Sequence, residues 1–196
     1  MVRTQLLTAC AVLALTIGSA SAQAVSTDQQ RDTNQQDRID QGLKSGQLST
    51  GEAAKLEQGQ AHIDRMESNA DKNGSVSPAE QARIQAAQNR QSAAIHRDKT
   101  NAVTGNPNSV SSQRMQADVA RDANQDQRTE NGIKSGQVTN REAGSIDRGQ
   151  AHLDHSEAVA GANGHVSAAE QARTQRIANR QSAHIYRAKH NARTRG

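Results

Sequence analysis

The chain is written twice. Residues 31–102 align with residues 121–192 without a gap, at a constant offset of 90, and 39 of the 72 pairs are identical. Lys44-Ser45-Gly46-Gln47 recurs as Lys134-Ser135-Gly136-Gln137, and Asn89-Arg90-Gln91-Ser92-Ala93 as Asn179-Arg180-Gln181-Ser182-Ala183. Self-similarity at a fixed period marks one structural unit used repeatedly. It predicts two domains, 23–102 and 121–196. Between them, 103–120 reads as a flexible linker, because Gly105, Pro107 and Asn108 have turn composition.

What each unit can bury is limited. The sequence holds no Phe and no Trp, and Tyr186 is its one aromatic residue. Leu, Ile and Val together fall well below the ~20% mark at which disorder becomes a serious reading. A sandwich, a barrel or a doubly wound α/β enzyme needs more hydrocarbon than this. Small, thin, locally folded units are expected, with no aromatic-lined pocket.

Met1 to Ala22 reads as an export signal. Arg3 gives the positive start, Leu6 to Ile17 the apolar run, and Ala20-Ser21-Ala22 a small-residue cleavage site. The run is too short to span a bilayer, which takes ~20 apolar residues. The sole cysteine, Cys10, lies inside it. The mature chain therefore carries no thiol, which excludes thiol catalysis and cysteine metal sites. Arg3 is the only charged residue removed, so the formal charge falls from +4 to +3. That mild surplus and the export signal make nucleic acid an unlikely partner. A periplasmic or secreted location is expected.

The pattern in each copy is helical. Four Ser/Thr-x-x-Glu boxes recur: Ser49 with Glu52, Ser77 with Glu80, Thr139 with Glu142, Ser167 with Glu170. Each puts a hydroxyl at a helix N-cap and a carboxylate three residues on, satisfying two otherwise unpaired amides. Pro78 sits at a first helical position. An all-α fold with about three helices per copy follows: one ending near residue 43, one over about 50–68, one over about 78–100. The apolar stripes are narrow, being Ile39 and Leu43, Leu56 and Ile63, then Ile84, Ala87, Gln91 and Ile95. Arg83, Arg90 and Arg97 recur every seven residues, as do Glu57 and Asp64, or Asp147 and Asp154. Seven residues is about two turns, so each set shares a helix face. The expected use is flanking ion pairs between antiparallel helices. An arginine face for anionic lipid or polysaccharide is the alternative.

Asn69 to Glu80 carries the most pointed chemistry. It reads Asn-Ala-Asp-Lys-Asn-Gly-Ser-Val-Ser-Pro-Ala-Glu. A twelve-residue calcium loop takes oxygen ligands at positions 1, 3, 5, 7 and 9, Gly at 6, an aliphatic at 8 and Glu at 12. Asn69, Asp71, Asn73, Ser75 (through its carbonyl), Ser77 and Glu80 occupy the ligand positions, with Gly74 at the bend. Here the sequence resembles the EF-hand family. The resemblance implies helix–loop–helix pairs in which the position-8 aliphatics form a short strand pairing, Leu48 with Val76 and Val138 with Val166. The other three loops, 41–52, 131–142 and 159–170, keep Gly, aliphatic, cap and Glu. Leu43, Ile133, and Val159 with Gly161, stand where side-chain oxygens are needed. With only Asp71 and Glu80 bringing charge, the resemblance implies weak Ca²⁺ binding, with a lanthanide as the other candidate ion.

His152 and His155, spaced i, i+3, offer a rival Cu, Ni or Zn site. No nucleophile–base pair, phosphate loop or catalytic zinc motif is present. The expectation is an exported, non-enzymatic, calcium-binding protein. Its alternatives are a metal-free helical protein, stress-related or folding on an unknown protein partner, and a histidine-dependent transition-metal binder.

Overall fold

The computed structural model describes residues 14–193, with side chains from Gln23 onward. Cys10 and the start of the predicted export signal lie outside the described residues. Six α-helices account for nearly all of the rest. They are α1 (Ala14–Ser45), α2 (Thr50–Ala70), α3 (Pro78–Thr100), α4 (Val110–Lys134), α5 (Asn140–Gly161) and α6 (Ala168–Lys189). A 3₁₀ turn, Asp71–Asn73, follows α2. All-α is the class the sequence implied.

Local chemistry sets the helix starts. All four predicted capping boxes form, each with the hydroxyl accepting from the third amide and the glutamate accepting from the cap amide. Upstream of each box a glycine turns the chain in the left-handed region, at Gly46, Gly74, Gly136 and Gly164, with φ between 74° and 88°. Only glycine adopts that conformation without steric cost.

The copies are not separate bodies. α2 packs along α5 and α1 along α4, and these are the most extensive contacts in the molecule. The α2–α5 pair runs antiparallel. Gly144, near the start of α5, faces Ser68 and Asp71 at the end of α2, while Gly161, at the end of α5, faces Thr50 and Ala54. One core cluster joins Ile39, Leu43, Leu48, Leu56 and Ile95 of the first copy to Met115, Val119 and Val166 of the second. Another places Val25 among Ile133, Val138, Ile146 and Ile185. The same clusters make α1 and α4 antiparallel, since Val25 at one end of α1 joins Ile133 at the far end of α4. α3 flanks α1 and α2, and α6 flanks α4 and α5.

This interlocking corrects two expectations. The linker expected over 103–120 is helical from Val110 onward, and Met115 and Val119 are core residues. The short connection before α4 is itself pinned, because the Gly105 amide donates to the Gly46 carbonyl at 2.8 Å. The position-8 aliphatics also meet across copies. Leu48 shares its cluster with Val166, and Val76 packs against the cluster of Val138. Antiparallel packing of the copies brings the first loop beside the fourth and the second beside the third. Asn140 Nδ2 accordingly donates to the Gly74 carbonyl at 3.1 Å. No strand occurs among the described residues.

Small residues set the α2–α5 distance. A Cβ on Gly144 would lie 2.7 Å from Asp71 Cβ and 3.2 Å from the Ser68 carbonyl. Neither neighbour can swing aside. Gly144→Ala gains up to ~1 kcal/mol of helix propensity against an overpacking cost of about 1–3 kcal/mol. The expected net result is a fall in Tm of roughly 2–4 °C by differential scanning calorimetry. Among the described residues no helix is long and apolar enough to cross a membrane.

Candidate metal centre

With so little hydrocarbon, the interior is filled by carboxyls and amides. On α2, Glu57, Asp64 and Glu67 share one face. On α5, Asp147, Asp154 and Glu157 do the same at matching positions. The two faces turn toward each other, and all six side chains are buried. α1 adds Asp32 and α4 adds Asp122, 2% and 0% exposed. One ligand oxygen from each of Asp32, Asp64 and Glu67 falls within a mutual 4.8 Å, and the same holds for Glu57, Asp122 and Glu157.

The offset of 90 relates these groups. It carries Asp32 to Asp122, Asp64 to Asp154, Glu67 to Glu157 and Glu57 to Asp147. Burial, and then the neighbouring Asp122 carboxylate, raise Asp154. Glu67 feels the charge of Asp147. Adding to each triad the member that the repeat offset supplies, Asp147 to the first and Asp154 to the second, gives two quartets: Asp32, Asp64, Glu67 and Asp147, then Asp122, Asp154, Glu157 and Glu57. Each draws on three helices and on both copies.

The partners of these acids are neutral. Gln88 Nε2 donates to Asp32 Oδ1 and Glu67 Oε1, both at 3.0 Å. Gln29 Nε2 donates to Asp147 Oδ1 at 2.9 Å. Gln36 Nε2 bridges Glu57 Oε2 at 2.9 Å and Asp122 Oδ2 at 2.8 Å. Gln150 Nε2 donates to Asp126 Oδ1 at 2.8 Å and to Asp122. Among the described residues no Lys or Arg is buried. None of the eight acids forms an ion pair among the described residues. Both oxygens of Glu157 are buried without a hydrogen-bond partner, as is Glu57 Oε1.

Such a set does not remain fully ionised by itself. Two unit charges at 4.8 Å repel by about 3 kcal/mol at an effective dielectric constant of ~20. Burial first, then neighbouring carboxylates, pushes Asp64, Glu67, Asp147, Asp154 and Glu157 well above the usual carboxylate range. Asp32, Glu57 and Asp122 are raised by burial as well. At the edges, burial lifts Asp28 to about 6 and its counterpart Asp118 to about 7. Protons or a cation must occupy the space between these oxygens.

The Asn69–Glu80 loop has a different geometry. Asn69, Asn73, Ser75 and Ser77 lie at or near the surface, while Asp71 is 2% exposed and packs under α5, where Asp147 feels its charge. Asn73 Oδ1 accepts from the Ser75 amide at 3.0 Å and from its hydroxyl. Glu80 Oε2 accepts from the Ser77 amide at 2.9 Å and hydroxyl at 2.6 Å, and these bonds hold Glu80 below its ordinary pKa. Thus Asn73 joins Ser75, Ser77 joins Glu80, and Asp71 faces the carboxylate interior.

His152 and His155 line a surface hollow together with Arg65 and Arg148. Two guanidinium groups there oppose a cation. The ion pairs expected between the arginine and acid series do not form among the described residues. Arg83, Arg90 and Arg97 are exposed, whereas Glu57, Asp64, Asp147 and Asp154 point inward.

The signal for the quartets was in the sequence. Asp64-x-x-Glu67 and Asp154-x-x-Glu157 are i, i+3 pairs on predicted helices, and they recur at the repeat offset. Glu57 and Asp147 extend the same faces by two turns. The seven-residue spacing was visible, but a charged face ordinarily meets water. Compared with known proteins, the chain matches no protein-family model, no curated protein and no solved structure.

Proposed function

We propose that this is an exported, non-enzymatic protein that binds hard cations, with the two buried carboxylate quartets as its principal ligands. One observation carries the reading. Glu157 is 1% exposed, both its oxygens lack a hydrogen-bond partner, and one of them lies within 4.8 Å of ligand oxygens from Glu57 and Asp122. A buried carboxylate without a donor is costly, and a cation bound among three or four such groups offsets that cost. All-oxygen, carboxylate-rich sites suit Ca²⁺ and similar hard ions, not the softer metals that imidazole and thiolate select. Export rests on Arg3, the apolar run and Ala20-Ser21-Ala22.

Calorimetric titration of the metal-stripped chain 23–196 with Ca²⁺, La³⁺ and Cu²⁺ tests this. Heat with Ca²⁺ or La³⁺ is expected, weakened at least ~10-fold in the fourfold variant Asp64→Asn/Glu67→Gln/Asp154→Asn/Glu157→Gln, which disables both quartets. Glu80→Ala, which removes only the loop carboxylate, is expected to leave that heat unchanged. Loss in Glu80→Ala alone would return the site to the Asn69–Glu80 loop. Loss of a Cu²⁺ signal in His152→Ala would favour the histidine site.

A further inference from the structure

We propose that the two quartets together take up two trivalent oxophilic cations, of the lanthanide type, one between Asp32, Asp64, Glu67 and Asp147 and one between Asp122, Asp154, Glu157 and Glu57. The inference rests on the cation-binding reading above and adds the number and charge of the ions. Each quartet brings four formal negative charges, and its only hydrogen-bond donors from other residues are neutral amides. A divalent ion would leave a residual charge of about −2 in each buried site, and a trivalent ion about −1; burial makes that difference expensive.

The quartets also lie in one another's field. Asp64 of the first feels Asp122 of the second, and Asp154 feels Asp64. The residual charges therefore add along a single seam, which increases the advantage of the higher-valent ion. Asp126, buried beside Gln150, adds a further acid to the same row.

The neutral ligands fit as well. Gln88, Gln36 and Gln150 each aim Nε2 at two carboxylates, and each has its Oε1 buried without a hydrogen-bond partner. Rotation of the amide by half a turn presents that oxygen to a cation in place of the N–H. Carboxylate and amide oxygens together supply the high coordination number that large hard ions take. Neither quartet's own ligand set contains nitrogen or sulfur, so zinc and copper find no preferred ligand there.

The test uses the metal-stripped chain 23–196 at pH 7.5 and two ions, La³⁺ and Ca²⁺, by titration calorimetry. Two La³⁺ per chain are expected, bound on the order of 100-fold more tightly than Ca²⁺. Asp64→Asn/Glu67→Gln and Asp154→Asn/Glu157→Gln are each expected to lower the La³⁺ stoichiometry to one, and the fourfold variant to none. Circular dichroism verifies that each variant keeps its helix. Tb³⁺ lifetimes in H₂O and D₂O give an independent reading, because an ion inside a quartet retains few waters whereas one on the exposed loop retains many. If a double variant loses its helix, the Tb³⁺ lifetimes of the unsubstituted chain decide alone. Equal affinity for Ca²⁺ and La³⁺ overturns the trivalent assignment and leaves the cation-binding reading intact. A single ion per chain overturns the two-site arrangement. La³⁺ binding that none of these variants alters, or no binding of either ion, overturns both.

Discussion

Stripped of metal, the protein is expected to lose stability as pH rises from about 4 to about 8, the reverse of ordinary acid denaturation. The cause is the direction in which the buried carboxyls move. Asp28 and Asp118 titrate at about 6 and about 7 when folded, against an ordinary 3.8, because burial disfavours their ionised forms. The seam carboxyls are raised in the same direction. A group whose folded pKa is raised binds more protons folded than unfolded. Its contribution is fully present below the unfolded carboxylate range and disappears as pH climbs through the folded value. Every tenfold gain in proton affinity on folding corresponds to about 1.4 kcal/mol, so Asp28 and Asp118 alone remove several kcal/mol across that window. For a chain of this size about 1 kcal/mol moves Tm by about 2–4 °C. A fall in Tm of more than ~10 °C between pH 4.5 and pH 7.5 is therefore expected. Adding La³⁺ at pH 7.5 should restore it, since a bound cation replaces the protons. A stability maximum at neutral pH in the metal-stripped protein would contradict the buried carboxyl arrangement.

Separating the copies should have the other large effect. Residues 23–102 made alone lack Met115, Val119 and Val166, which complete the cluster around Ile39, Leu43 and Leu48. They also lack the whole of α5, the main partner of α2. A monomeric fragment then presents an acidic, aromatic-free surface with too little apolar area to offset its conformational entropy. Little helix is expected by circular dichroism at low micromolar concentration, with helicity rising as the fragment is concentrated. A fragment that is fully helical while monomeric by sedimentation would show that each copy is a domain in its own right. Cleavage in the short connection before α4, in contrast, should leave both halves associated.

The helices were legible and their partners were not. Starts at Thr50, Pro78, Asn140 and Ala168 follow from short-range chemistry, a glycine turn and a hydroxyl–glutamate box, which acts within a few residues whatever the tertiary setting. The stripe residues Ile39, Leu43, Leu56, Ile63, Ile84 and Ile95 are all buried, as their periodicity implied. What packs on them depends on the other copy, and two similar units give the same apolar pattern whether they fold apart or together. The carboxylate seam was hidden for a different reason. Glu57 and Asp64 carry the spacing of a solvated helix face, and burying such residues is so costly that solvent is the default reading. Only the pairing of α2 with α5 turns those faces inward. In the Asn69–Glu80 loop the Gly74 bend and the Ser77–Glu80 cap were legible. The sequence did not show that Asp71 is drawn under α5 while Glu80 remains with its cap.

The crosswise origin of the quartets has a consequence for how the two halves can change over time. After a duplication, one half usually escapes selection because the other still does the work. Here α2 furnishes Asp64 and Glu67 to one centre and Glu57 to the other, while α5 furnishes Asp154 and Glu157 to one and Asp147 to the other. On the proposed cation-binding reading, losing an acid from either half damages a centre that the opposite half cannot rebuild, so neither half is a spare.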